Sequence, residues 1–247
     1  MFKPKATIQH RKYHKASGTL PDEFGLICWN THKKNQTLAF HAYITQLQSL
    51  YPSSLFLFQE AHEPIHQEFV LNEFETIYAA NLQMKTKSYG ILTASDTHHR
   101  EASCLLSQHQ ELFFKTHKST LISCYPLVDG QHVLVVNIHA INFKSAKVYR
   151  HEMSILLESL LEHKGPLIIA GDFNTWNNRR NDILASMQEI LSLEKVIFKN
   201  DQHIKCFRQF PLDHIFYRGL EIVTAEAVNA EDLSDHNPLY TCFRLAK

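Results

Sequence analysis

The sequence predicts an α+β fold in which two packed β-sheets are flanked by helices, on three observations. Short apolar runs rich in β-branched and aromatic residues recur along the whole chain. Helical periods are fewer, about four against about ten strands, and several strands follow one another directly, which a strict βαβ alternation does not allow. The seven glycines form neither a G-x-G-x-x-G turn nor a P-loop, which counts against dinucleotide or P-loop chemistry, and any phosphate is expected to be held by side chains.

Each element rests on its own pattern. Leu26 to Trp29, Leu55 to Phe58, Ile91 to Thr93, Leu121 to Cys124, Val133 to Ile138, Leu167 to Ala170 and Ile215 to Tyr217 are runs of strand length, read as buried strands. Phe40, Tyr43, Ile44, Leu47 and Leu50 recur at helical spacing, and so do Tyr149, Met153, Leu156 and Leu160. Pro52 stops the first helix, and Gly165-Pro166 stops the second. A further helix is expected through Ile183, Leu184 and Met187.

At 247 residues the chain is near the size at which one hydrophobic core stops growing, and no linker interrupts it. A single domain over residues 23–247 is expected, behind a basic leader over residues 1–22. That leader carries Lys3, Lys5, Arg11, Lys12 and Lys15 without an acidic residue before Leu20. It is read as a solvated, partly disordered terminus, with contact to phosphates as the alternative. It has no apolar run of the signal-peptide kind, and no stretch approaches the roughly 18 apolar residues of a membrane span. A cytoplasmic chain, monomeric by default, is the expectation. Five scattered cysteines without a Cys-x-x-Cys pair suggest reduced core thiols rather than disulfides or a zinc site. Lys plus Arg balance Asp plus Glu at 25 each, so a charged partner must meet a local patch.

The chemistry lies where the apolar runs end. Trp29 runs into Asn30, Phe58 into Gln59-Glu60, and Val136 into Asn137-Ile138-His139. Leu167 to Ala170 leads into Gly171-Asp172-Phe173-Asn174, where the small residue is expected to turn the chain and present Asp172 and Asn174 on one side. Asp213-His214 and Ser234-Asp235-His236-Asn237-Pro238 complete the set. Any one of these has a plain structural explanation as a cap or turn residue. Together, carboxylates that suit Mg²⁺ or Mn²⁺ and His and Asn donors for a charged transition state are the parts of a phosphoester hydrolase.

This ordered series resembles the endonuclease/exonuclease/phosphatase superfamily over residues about 24 to 245. The stretches Val135-Val136-Asn137-Ile138-His139-Ala140-Ile141-Asn142-Phe143 and Pro211-Leu212-Asp213 through Phe216-Tyr217-Arg218-Gly219-Leu220 are similar to a bacterial YafD-like subgroup. The resemblance implies a DNase I-like four-layer α/β/β/α sandwich of two mainly antiparallel sheets, with the site at one end. It implies Glu60 as principal metal ligand with Asn30 beside it, Asp235 at or near the metal, and Mg²⁺ or Mn²⁺ as cofactor. Asp172 would align or deprotonate the attacking water, and Asn174 would hydrogen-bond the scissile phosphate. His236 would contact that phosphate with Asp213 orienting its ring, and His139 falls where DNase I and sphingomyelinases have a histidine. Arg150, in the following helix, is a candidate phosphate clamp, with a surface ion pair to Glu152 as the alternative.

The implied activity is a metal-dependent phosphodiesterase acting on nucleic acid. Arg179-Arg180 adds modest support, although the solvated first turn of a helix explains that pair as well. A lipid or inositol-phosphate phosphoesterase is the runner-up, with Leu112-Phe113-Phe114 as its best interfacial candidate. An inactive scaffold is disfavoured because every motif residue is intact.

Overall fold

The computed structural model describes residues 8–13, 15–65, 69–71, 73–111, 116–230 and 233–246. In chain order its strands are β1 (Ile8–Arg11), β2 (Glu23–Asn30), β3 (Leu55–Pro64), β4 (Glu75–Gln83), β5 (Lys87–Ser95), β6 (Glu101–Leu106), β7 (Ser119–Pro126) and β8 (His132–His139). They continue with β9 (Leu167–Asp172), β10 (Glu194–Lys195), β11 (Cys206–Phe207), β12 (Phe210–Pro211), β13 (Asp213–Arg218), β14 (Leu220–Ala227) and β15 (Leu239–Leu245). The helices are α1 (Leu38–Leu50), α2 (Ala146–Leu160) and α3 (Asn178–Ile190). Among the described residues there are thus three α-helices where about four were expected; the rest of the helical content is one 3₁₀ turn, Asp201–His203.

Seven strands pair in the order β1-β4-β5-β3-β2-β15-β14, and six in the order β10-β13-β9-β8-β7-β6. Each sheet has one parallel pair, β2 with β3 and β8 with β9, and is otherwise antiparallel. The period-2 alternation of the strands explains the layering. In β2, Leu26 and Cys28 face the second sheet while Ile27 and Trp29 face α1; in β9, Ile168 and Ala170 face inward while Leu167 and Ile169 pack under α2 and α3. The result is the expected four-layer sandwich: α1, two sheets, then α2 and α3.

Phe40, Ile44 and Leu47 of α1 are buried, but Leu50 is 64% exposed, because the helix ends there. Tyr149, Met153, Leu156 and Leu160 of α2 are all buried as the periodicity requires. The side chains of Thr37, Ser145 and Asn177 cap the three helices.

Three expectations are corrected. Residues 8–11 do not stand apart as a leader: β1 pairs antiparallel with β4, Ile8 against Ala79, and Arg11 donates to both oxygens of buried Glu63 at 2.9 and 3.0 Å. Leu20 is fully buried in the core between the sheets. Lys3 and Lys5 lie outside the described residues. Gly171 does not turn the chain but stays in β9, paired with Ile138 and His214. Its φ is +152°, and a Cβ there would meet the Ile138 carbonyl oxygen at 1.9 Å, so only glycine lets β8 approach. The cysteines are not uniformly core residues: Cys28 is buried and Cys206 exposed. No described helix is long and apolar enough to cross a membrane.

Candidate active site

Strand register assembles the site. His139 is paired with Asp172, and Asp172 with Asp213, so the last residue of β8, the last of β9 and the first of β13 stand side by side across the end of one sheet. At the facing end of the other sheet, Asn30 is paired with Gln59, and Glu60 follows in a bulge between Phe58 and Ala61. Glu60 has φ of +48°, a left-handed conformation that a non-glycine residue holds only where its surroundings impose it, and it lines the cleft. His32, Lys33, Phe143 and Asn174 share both properties, so backbone strain gathers at this cleft. The cleft encloses about 680 Å³.

A row of polar groups crosses its floor. His236 Nδ1 donates to Asp213 Oδ2 at 2.7 Å, and His236 Nε2 lies 3.9 Å from Asp172 Oδ2. On the other side of that oxygen, His139 Nε2 is 3.6 Å away, and the same nitrogen is 3.9 Å from Glu60 Oε1. Asn30 Nδ2 donates to Asp172 Oδ2 at 3.1 Å, and the Asn174 backbone N–H donates to Asp172 Oδ1 at 2.9 Å. Behind the row, the Trp29 indole donates to the His236 carbonyl at 2.8 Å. A buried amide pair ties the two sheets together, Gln59 Nε2 donating to Asn137 Oδ1 at 2.7 Å.

The electrostatics follow from burial and from these neighbours. Burial raises the Asp172 carboxyl, and the nearby Asp213 charge raises it further; the His236 cation, the Asn174 N–H and Lys118 oppose them, leaving it near 6. Burial disfavours the His236 cation, but Asp213, Asp172 and Asp235 outweigh that and push it up to about 9. His139 is held well below its ordinary value by burial, then by Lys118 and His236. Asp235 is held below the usual carboxylate range: burial works the other way, and His236, His32 and Lys205 prevail.

Asn30, Glu60, His139, Asp172, Asn174, Asp235 and His236 all line the cleft, with Asp213 buried behind His236. Asp235 sits at the rim, its carboxylate 3.1 Å from His32 Nδ1 and 3.4 Å from Lys205 Nζ. Arg150 and Arg179 are exposed on α2 and α3 and do not line the cleft. They fall outside it because the helices cover the outer face of the second sheet. Glu152, the alternative partner of Arg150, instead accepts from the backbone N–H groups of Gln108 and His109. Arg180 is neither solvated nor turned to substrate. Its guanidinium is fully buried, 4.3 Å above the Tyr149 ring and 4.6 Å from Trp176. It donates to the carbonyls of Ile141, Lys144 and Asn174 and so pins the loops that carry two cleft walls. Leu112-Phe113-Phe114 lies outside the described residues.

Sequence reasoning missed Lys33, Lys118 and Lys205, which line the cleft from segments without a motif. It also missed an apolar wall formed by Leu82, Met84, Tyr89 and Ile91. Alternation along β4 and β5 was the signal available for that wall.

The donor set fits a hard divalent cation. Glu60 and Asp172 supply carboxylate oxygens and Asn30 an amide oxygen, the ligand types that Mg²⁺ and Mn²⁺ take. Among the described residues, Asp172, Asp213 and His236 place three ligand atoms within 4.8 Å of one another. Within that group the His236 Nδ1 proton is already given to Asp213, so the trio is better suited to holding a proton than a metal.

The sequence model of the Endonuclease/Exonuclease/phosphatase family matches residues 27–236. The chain is 36% identical over 234 residues to a UPF0294 protein of Vibrio vulnificus, covering 94% of this chain and 80% of that one, a relationship consistent with the YafD-like subgroup. Among solved structures, an endonuclease/exonuclease/phosphatase family protein from Leptotrichia buccalis superposes with a TM-score of 0.69 at 12% identity, covering 90% of this chain and all of that one. The human Nocturnin catalytic domain, solved with a bound sulfate anion, gives 0.63 at 14% identity over 92% and 96% of the two chains.

Proposed function

Because the chain belongs to the endonuclease/exonuclease/phosphatase family, whose members hydrolyse phosphoester bonds, we propose that it is a Mg²⁺- or Mn²⁺-dependent phosphodiesterase that cleaves nucleic acid. The observation that carries this reading is the row Asp213–His236–Asp172–His139 set beside Glu60 and Asn30 in one cleft.

Glu60 and Asn30, with Asp172 beside them, would hold the cation, and Asp235 stands near enough to the rim to take part through water. When bound, the cation would supply Lewis-acid stabilisation of the phosphate oxygens. Asp172 is the group that orients and deprotonates the attacking water, since its Oδ2 stands at the centre of the row, 3.6 Å from His139 Nε2 and 3.9 Å from His236 Nε2. His236, kept cationic by Asp213, faces the phosphate and stabilises the charge that grows on its oxygens or protonates the leaving oxygen. Asn174 holds its own amide against the Ala140 carbonyl at 3.0 Å, which leaves its second N–H for the phosphate. His139 acts as a neutral group.

The apolar wall of Leu82, Met84, Tyr89 and Ile91 is the one feature that favours the second reading, a lipid or inositol-phosphate phosphoesterase. A nucleobase would use the same wall.

Hydrolysis of plasmid DNA, single-stranded DNA, RNA, sphingomyelin and an inositol polyphosphate, with Mg²⁺, Mn²⁺ or EDTA and with Asp172→Ala as control, separates the readings. Metal-dependent cleavage of nucleic acid that the variant lacks is the expected result. Turnover confined to the lipid or inositol substrates would replace it with the second reading.

A further inference from the structure

Lys118 lies just before β7 and belongs to none of the sequence motifs, yet its ammonium closes the row on the cleft floor. Its side chain is 14% exposed, low for a lysine, whose charge is normally left in water. Nζ lies 2.9 Å from His139 Nε2 and 3.5 Å from Nδ1 of the same ring. An ammonium on the lone-pair axis of one imidazole nitrogen would be much farther from the other. Lys118 therefore sits off that axis, and the ring does not saturate it. The carboxylate nearest to it, Glu111 Oε2, is 3.6 Å away, beyond good hydrogen-bond range, while Glu111 Oε1 accepts from the Asn142 backbone N–H at 2.9 Å. A lysine has three N–H donors, and the contacts here leave it under-coordinated in a cleft it shares with Asp172, Asn174 and His236.

Asp172 and Glu60 present negative charge to an incoming phosphate; His236 Nε2 lies 3.9 Å from Asp172 and Lys33 Nζ 3.6 Å from Glu60, which leaves Lys118 as the cation beside His139. We propose that Lys118 is a catalytic residue of this cleft, whose ammonium binds a non-bridging oxygen of the substrate phosphate from the end opposite His236. The His139 ring borders that ammonium, and Glu111 stands too far from it to neutralise it. The inference rests on reading the cleft as a phosphoester site.

Two measurements test it: binding of inorganic phosphate in EDTA, read by titration calorimetry and by the phosphate-induced rise in Tm, and turnover of bis(p-nitrophenyl) phosphate with Mg²⁺. Lys118→Met is expected to weaken phosphate binding at least about tenfold and to lower kcat/KM about a hundredfold, the scale of losing one charged donor to a transition state. Lys118→Arg is expected to restore part of the phosphate binding. Glu111→Gln removes the competing carboxylate, so phosphate binding should hold or tighten. A purely structural ion pair predicts instead that Glu111→Gln and Lys118→Met lose phosphate equally, and that outcome overturns the proposal. So does Lys118→Met that binds phosphate within twofold of the parent. If Lys118→Met fails to fold by circular dichroism, Lys118→Gln, which keeps a polar head without the charge, takes its place. A parent protein that turns over no phosphoester but binds phosphate through Lys118 would sink the functional reading and the catalytic role together, and leave Lys118 as a phosphate-binding residue only.

Discussion

Two histidines flank one oxygen of Asp172, and the structure holds them in opposite charge states. His236 is backed by the Asp213 carboxylate at 2.7 Å, and His139 by the Lys118 ammonium at 2.9 Å. Both rings are nearly inaccessible, so burial disfavours the cation in each. The nearest charge then decides: one imidazole is held cationic to about 9, the other is kept neutral. The same residue type at two strand mouths thus provides one group that can carry positive charge and one that can only accept or orient.

The largest effect expected on this arrangement comes from the carboxylate between the two rings. Asp172→Asn should lower kcat/KM by about 10³-fold or more, within the range for a removed general base. The same substitution should raise stability in metal-free protein. Folding raises this carboxyl from 3.8 to about 6, so its ionised form is disfavoured in the fold; the cost grows as pH climbs from about 4 to 6 and is complete above. A Tm gain at pH 7.5 that vanishes below pH 4 is the expected signature, and equal Tm values at both pH values would remove Asp172 from the desolvated position assigned to it.

Next comes the charged side. His236→Asn and Asp213→Asn should each cost about a hundredfold in kcat. The double variant should be little worse than either, because the two act as a unit. Proton NMR of metal-free Asp213→Asn should find His236 titrating far closer to its ordinary 6.5 than to 9. A titration still near 9 would mean that Asp213 is not what keeps the ring charged.

The neutral side should matter less. His139→Asn is expected to cost about tenfold, the worth of one hydrogen bond, without moving the alkaline limb of the pH–rate profile. A shift of that limb would show that the two histidines have exchanged roles.

The smallest expected effect is on stability against pH. Because folding raises His236, its contribution is fully present below pH 6.5 and is lost as pH rises through about 9. Chemical denaturation of metal-free protein between pH 6 and 10 should show this decline, and His236→Asn should flatten it.

Much of the fold was legible because burial leaves a periodic trace. Ile27 and Trp29 alternate with Leu26 and Cys28 along β2, as a strand buried on both faces must. β1 left no such trace: an edge strand with only Ile8 packed inward, and a basic residue that pairs with Glu63 52 positions away, reads as a leader until the partner is seen. The wall of the cleft and Arg180 were hidden for the same reason. A buried arginine that donates to three carbonyls between two rings looks, in one dimension, like any helix cation.

The sequence by itself determined the central strands, the residue types at their ends and, through the order of its motifs, the family. Hydrophobic alternation and local turn chemistry depend on near neighbours in the chain, and those are written in it. Tertiary structure alone decided that His139, Asp172 and Asp213 share one register level, that Arg150 and Arg179 point away from the cleft, and that Lys118 completes it. It also decided which histidine carries charge, because a pKa is set by the dielectric and the charges within a few ångströms, and those are contributed by residues far apart in the chain.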